Sequence, residues 1–153
     1  MRWIYLSPHL DDASLSAGGW IYDQTQAGNP VEIWTFMCGF PKASQLSPFA
    51  QALHKSWGMT SAREVVSGRR KEDKNAAAIL GAKAVHFDFL DCIYRQDRKG
   101  NWLYSTIFID PLPGEADLPA RIAAAISARL KPTEELVCQL SVGKHLDHVT
   151  VRR

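Results

Sequence analysis

Cysteine is scarce in this chain, and what there is argues against a disulfide scaffold. The 153 residues include only Cys38, Cys92 and Cys138. An odd number of widely separated cysteines, each beside apolar residues, reads as core thiols kept reduced. Long hydrophobic runs are missing as well. The N-terminus carries one arginine and then the short apolar stretch Trp3 to Leu6, which fits neither a signal peptide nor a spanning helix. A cytoplasmic protein without a membrane span is the expectation. There is also no excess of either charge: 18 Lys and Arg against 16 Asp and Glu leave +2. That balance supplies no electrostatic reason to expect a nucleic-acid partner.

What the sequence does contain is core material. Hydrophobic residues make up 46% of it, with five Trp and six Phe, enough to bury a sizeable core in one domain spanning 1-153. No internal repeat, low-complexity tract or linker divides it.

Residues 2 to 6 form a short apolar run that ends at Ser7-Pro8, as a buried strand with a fixed exit would. Residues 13 to 26 suit a helix in which Leu15, Trp20 and Ile21 share one face, stopped by Gly28-Asn29-Pro30. Val31 to Cys38 is β-branched and aromatic, a second strand. An irregular excursion over 39-59 follows, with a short helix near Phe49 to Trp57. A helix over 61-80 closes on Gly81, and Gly68 is a candidate interruption. The third strand is expected at 84-90, a long loop at 91-114, an Ala-rich helix at 117-130 and a fourth strand at 135-140. Strands alternating with helices predict an α/β fold, a Rossmann-like parallel sheet with helices on both faces.

Two polar motifs follow strands in this scheme. Ser7-Pro8-His9-Leu10-Asp11-Asp12-Ala13 leaves the first strand, and Lys144-His145-Leu146-Asp147-His148 leaves the fourth. Ligands of open parallel sheets sit beyond the carboxyl ends of the strands, where the strand order reverses. A strand order 3-2-1-4 brings both motifs to one crevice. His9 and Asp12, three apart across a turn, can share an ion, and His148 completes a set of two imidazoles and a carboxylate. That is the donor set of a catalytic zinc site, although iron or cobalt fit the same ligands. Asp11 is left beside the metal water as a general base. The competing reading makes Asp11 and Asp12 caps of the following helix, and His145 and His148 a polar turn.

The pair of motifs resembles the LmbE-like family, the PIG-L group of zinc-dependent N-acetylglucosaminyl deacetylases, whose first motif has the form SPHxDD and whose second is HxDH. The similarity extends through Arg69-Arg70-Lys71-Glu72, the helix end Ala76 to Gly81, and Phe89-Leu90-Asp91. It implies Zn2+ held by His9, Asp12 and His148, with Asp11 as base. His145 would stabilise the tetrahedral intermediate or protonate the departing amine, and Asp147 would orient and charge the His145 imidazole. Arg69 and Asp91 would contact the substrate, a small-molecule amino-sugar conjugate, and Arg95 is a further candidate cation for it. Trp57, Tyr94, Trp102 and Tyr104 are available to stack on a sugar ring.

The function implied is metal-dependent removal of an N-acetyl or similar N-acyl group. A non-catalytic zinc- or sugar-binding module is the alternative, and the sequence leaves assembly into a homo-oligomer open. Ala13 stands where many members have Glu, and Gly143 where some have Tyr. The second motif lies close to Arg153, so the fold is expected to lack the C-terminal elements that relatives usually carry.

Overall fold

A computed structural model describes residues 1–42 and 45–153. The expected excursion over 39-59 therefore includes two residues, 43 and 44, that lie outside the described ones. Four strands form the sheet: β1 (Trp3–Ser7), β2 (Val31–Met37), β3 (Lys83–Phe89) and β4 (Glu135–Val137). Their spatial order is β3-β2-β1-β4 and every pairing is parallel. The helices are α1 (Asp12–Gln26), α2 (Pro48–Ser56), α3 (Ala62–Ile79), α4 (Leu118–Ser127) and α5 (Leu146–Arg152).

Alternation along the strands divides the core. Ile4 and Leu6 of β1 and Trp34 and Phe36 of β2 point to the face covered by Leu118 and Ile122 of α4 and Val151 of α5. Tyr5 and Ile33 point the other way, against Ala13 and Ile21 of α1 and Ala77 of α3. Period-two burial on both faces is what central parallel strands require. A third cluster lies beyond the sheet, where Ala50 of α2 and Val66 of α3 meet Cys92, Ile93, Tyr94, Tyr104 and Leu146.

Some expectations are corrected. Leu15 is 82% exposed and Trp20 half-exposed; α1 buries Ala13 and Ile21, and Trp20 only sets its ring edge against Trp3 and Tyr5. The reason is the helical step: about 100° per residue separates positions 15, 20 and 21 around the axis. The fourth strand ends at Val137. As an edge strand with one neighbour it has partners for three residues only, Trp3, Ile4 and Tyr5 of β1, and Cys138 is consequently exposed while Cys38 and Cys92 are buried. Gly68 does not interrupt α3. The long loop contains two short 3-10 turns, Cys92–Tyr94 and Pro113–Glu115. Among the described residues no helix is long and apolar enough to cross a membrane.

Candidate active site

The turn after β1 is held by its own backbone. Met37 N donates to Pro8 O at 2.8 Å, tying the turn to the end of β2, and Asp11 N donates to His9 O at 3.0 Å. Ser7 Oγ donates to His9 O at 2.6 Å and accepts from Ala13 N at 3.0 Å. The first turn of α1 is thus served by a serine, and Asp11, at the N-cap position, makes no side-chain cap hydrogen bond. Asp12 Oδ2 accepts from His9 N at 2.8 Å. Neither aspartate is spent on the helix end in the way the capping reading requires.

The second motif arrives by a turn in which Ser141 and Lys144 have positive φ, 57° and 56°. Ser141 Oγ donates to His148 O at 3.0 Å. Leu146, fully buried, anchors α5, and its N–H donates to Ile107 O at 2.9 Å. His145 and His148 are thereby set against His9, with ring centroids 4.7 and 5.2 Å from it.

Three donor atoms converge. His9 Nδ1 lies 3.2 Å from His148 Nε2 and 3.3 Å from Asp12 Oδ2, and His148 Nε2 lies 3.2 Å from that same oxygen. Corners of a tetrahedron about 2.0 Å from its centre are about 3.3 Å apart, the spacing of ligands around zinc. The donor set and its spacing therefore fit a divalent metal of the zinc type. Two wider groupings share His9: one with His145 and His148, the other with Asp91 and Asp147. In the second, the carboxylates face Nε2 of His9, 3.1 Å from Asp147 and 3.7 Å from Asp91, on the far side of the ring from Asp12.

Electrostatics divides the two neighbouring aspartates. Burial works to raise the Asp12 pKa, but hydrogen bonds from His148 and His9 outweigh it and hold this carboxyl below its ordinary range. Asp11 is shifted upward by burial, with Arg69 opposing and Asp12 reinforcing the shift. Its side chain remains 50% exposed, and its Oδ1 faces Arg69 Nη2 at 3.4 Å. His145 is pushed down to about 4 by burial and by the neighbouring His9 and His148. Its Nδ1 accepts from Asp147 N at 3.2 Å, so the neutral ring carries its proton on Nε2.

The remaining site residues fall into two groups. Arg69 reaches the crevice from α3, with its guanidinium 5.3 Å from the centre of the Trp57 ring. Asp91 is mostly buried; its Oδ1 accepts from Ile93 N at 3.1 Å while Oδ2 faces His9. Asp147 corrects its expected role: its carboxylate meets His9, Cys92 N and Arg95, and only its backbone N–H reaches His145. Arg95 is likewise no substrate cation, because it is buried between Glu115 and Asp147. Of the aromatic residues, Tyr94 and Tyr104 belong to the core, whereas Trp57 is exposed. Residue type alone does not mark Ser7 Oγ or the Cys92 backbone N–H as supports of the site. The serine immediately before the proline that closes the strand was the available signal for the first.

A parallel sheet whose order reverses beside β1, with His, Asp and His donors over the carboxyl ends of β1 and β4, defines an α/β protein with a candidate metal site at its strand ends. The family model described as PIG-L, GlcNAc-PI de-N-acetylase, matches residues 4–153, and the chain belongs to that family. No curated protein matches. Among solved structures, a deacetylase of the teicoplanin biosynthesis pathway is 35% identical with a TM-score of 0.87, covering 99% of this chain and 60% of that one. The zinc-inhibited form of teicoplanin deacetylase Orf2 gives 34%, 0.87, 99% and 60%. The A40926 pseudoaglycone deacetylase Dbv21 gives 34%, 0.76, 99% and 55%. The chain thus spans little more than half the length of these relatives.

Proposed function

We propose that this chain is a metal-dependent hydrolase that removes an N-acetyl or similar N-acyl group from an amino-sugar conjugate. The observation that carries this reading is the 3.2 to 3.3 Å triangle of His9, Asp12 and His148 donors with a further carboxylate, Asp11, next to it and outside the triangle. Membership of a de-N-acetylase family and the deacetylase names of the similar structures support it. His9, Asp12 and His148 would hold Zn2+, within a single domain formed by 1-153. When bound, the ion supplies Lewis-acid polarisation of the amide carbonyl and a water whose pKa is lowered to roughly 7.

Asp11 is the proton acceptor. It is partly exposed, has no cap bond to give up and sits one residue from a ligand, so a water in the crevice is within its reach. Water oxygen adds to the amide carbon as its proton passes to Asp11. His145 offers Nε2–H to the developing oxyanion. The C–N bond then breaks as the nitrogen takes from Asp11 the proton that the water gave it, the remaining proton of the new acid passes to solvent, and the carboxylate and the free amine depart. Arg69 and Asp91 flank the crevice as donor and acceptor for sugar hydroxyls. Three cysteines without disulfides agree with a cytoplasmic location.

Asp11→Asn tests the assignment. The variant is expected to bind zinc as the wild type does while acetate release falls by about 10²- to 10⁴-fold. Full activity with zinc retained contradicts the base role.

A further inference from the structure

Arg95 is a buried cation that the chemistry above does not use. It is 6% exposed, and its guanidinium joins carboxylates from distant parts of the chain. Nη1 donates to both oxygens of Glu115, at 3.0 and 3.2 Å, and Nη2 donates to Oδ1 of Asp147. The guanidinium lies 5.4 Å from the centre of the Tyr104 ring. Glu115 is itself fixed by Tyr104, whose hydroxyl donates to Oε2 at 2.5 Å and accepts from Leu112 N at 3.0 Å.

Asp147 has no exposed side-chain surface. A carboxylate so placed requires a cation or several donors around it, and removal of its partner leaves an uncompensated buried charge. Arg95 occupies Oδ1. The other oxygen, Oδ2, accepts from Cys92 N at 3.0 Å and faces His9 Nε2 at 3.1 Å. A neutral imidazole carries one N–H, so a ring that donates through Nε2 presents a bare Nδ1. Nδ1 of His9 is the atom that faces Asp12 and His148.

We propose that Arg95 is a positioning residue for metal binding: by anchoring Oδ1 of Asp147 it aims Oδ2 at His9 Nε2, and so fixes the His9 tautomer that presents Nδ1 to the metal. The inference rests on the reading of His9, Asp12 and His148 as ligands. The two-armed guanidinium suits this task because it spans Glu115 and Asp147 at once, which an ammonium group cannot do with the same geometry. Outer hydrogen bonds of this kind orient metal-binding histidines and raise their basicity.

The test has two readouts. Nitrogen-15 histidine NMR of the metal-free protein reports which ring nitrogen of His9 is protonated, and zinc competition against a chromophoric chelator reports affinity. The wild type is expected to carry Nε2–H on His9. Arg95→Gln is expected to lose that preference and to bind zinc about 10- to 100-fold more weakly with unchanged circular dichroism. If Arg95→Gln fails to fold, Arg95→Lys is read in the same way, with a smaller loss expected. Nδ1–H on His9 in the wild type, or wild-type zinc affinity in the folded variant, overturns the proposal. If His9→Ala retains wild-type zinc affinity, it is the ligand reading that fails. In that event a His9 tautomer unchanged by the Arg95 substitution still overturns the positioning role.

Discussion

His9 is engaged from both ends of its ring, with Asp12 and His148 on Nδ1 and Asp147 on Nε2. Those two ends make separable expectations. His148→Ala removes one corner of the donor triangle, so zinc affinity measured by chelator competition should fall by more than about 10²-fold, beyond the effect of an outer hydrogen-bond partner. Arg69 touches Asp11 and Trp57 and none of the three donors. Arg69→Met should therefore leave zinc affinity unchanged and raise KM for an N-acetylglucosamine conjugate by about 10-fold, the value of one charged hydrogen bond. Equal KM in the two proteins would remove Arg69 from the substrate contacts. His9, Asp12 and His148 were legible because donor chemistry and sequence position suffice to bring them together. The partner of Asp147 was not: Asp147 is two residues from His145, yet a helix N-terminus turns its carboxylate inward to Cys92 and Arg95, and that direction depends on packing of the 91–115 segment.

At the level of elements, the site depends on how strands hand over to helices. Ser7 bridges β1 and α1 through His9 O and Ala13 N, with no exposed surface. Ser7→Ala is expected to cost about 1 to 2 kcal/mol by loss of a buried cap, read as a lowered Tm in thermal unfolding; an unchanged Tm would assign the helix start to other contacts. Gly39 marks the handover from β2. A Cβ there would come within 2.5 Å of Asp88 O and 2.8 Å of Asp88 C, both backbone atoms of β3. Gly39→Ala should destabilise by about 2 to 3 kcal/mol, since a backbone neighbour cannot turn aside. The strand and helix order as far as β4 was readable from alternation and from Gly and Pro positions, whereas α5 was not. The buried face of α1 and the end of β4 were not, because both depend on what lies opposite. For β4 the consequence is chemical: Cys138 should react with a thiol reagent in the native protein, while Cys38, buried and pushed up to about 12 mainly by that burial, should react only after unfolding. Labelling of Cys38 in the folded state would contradict the packing described.

For the whole molecule, the strand order β3-β2-β1-β4 decides where chemistry can occur, since it brings two motifs more than a hundred residues apart to the same end of the sheet. Fold class followed from the alternation of elements and family membership from the two motifs; the strand order entered only as the condition under which the motifs meet, and the network through Arg95 needed coordinates. The most direct test of the central claim is acetate release from an N-acetylglucosamine conjugate by the zinc-loaded protein, followed beside zinc content before and after chelation. The expected result is equimolar acetate and free amine from zinc-loaded protein, lost on chelation and restored by zinc. Zinc bound in the His9, Asp12 and His148 site with no acetate released would contradict the hydrolase and leave a binding module; acetate released equally after chelation would contradict the metal.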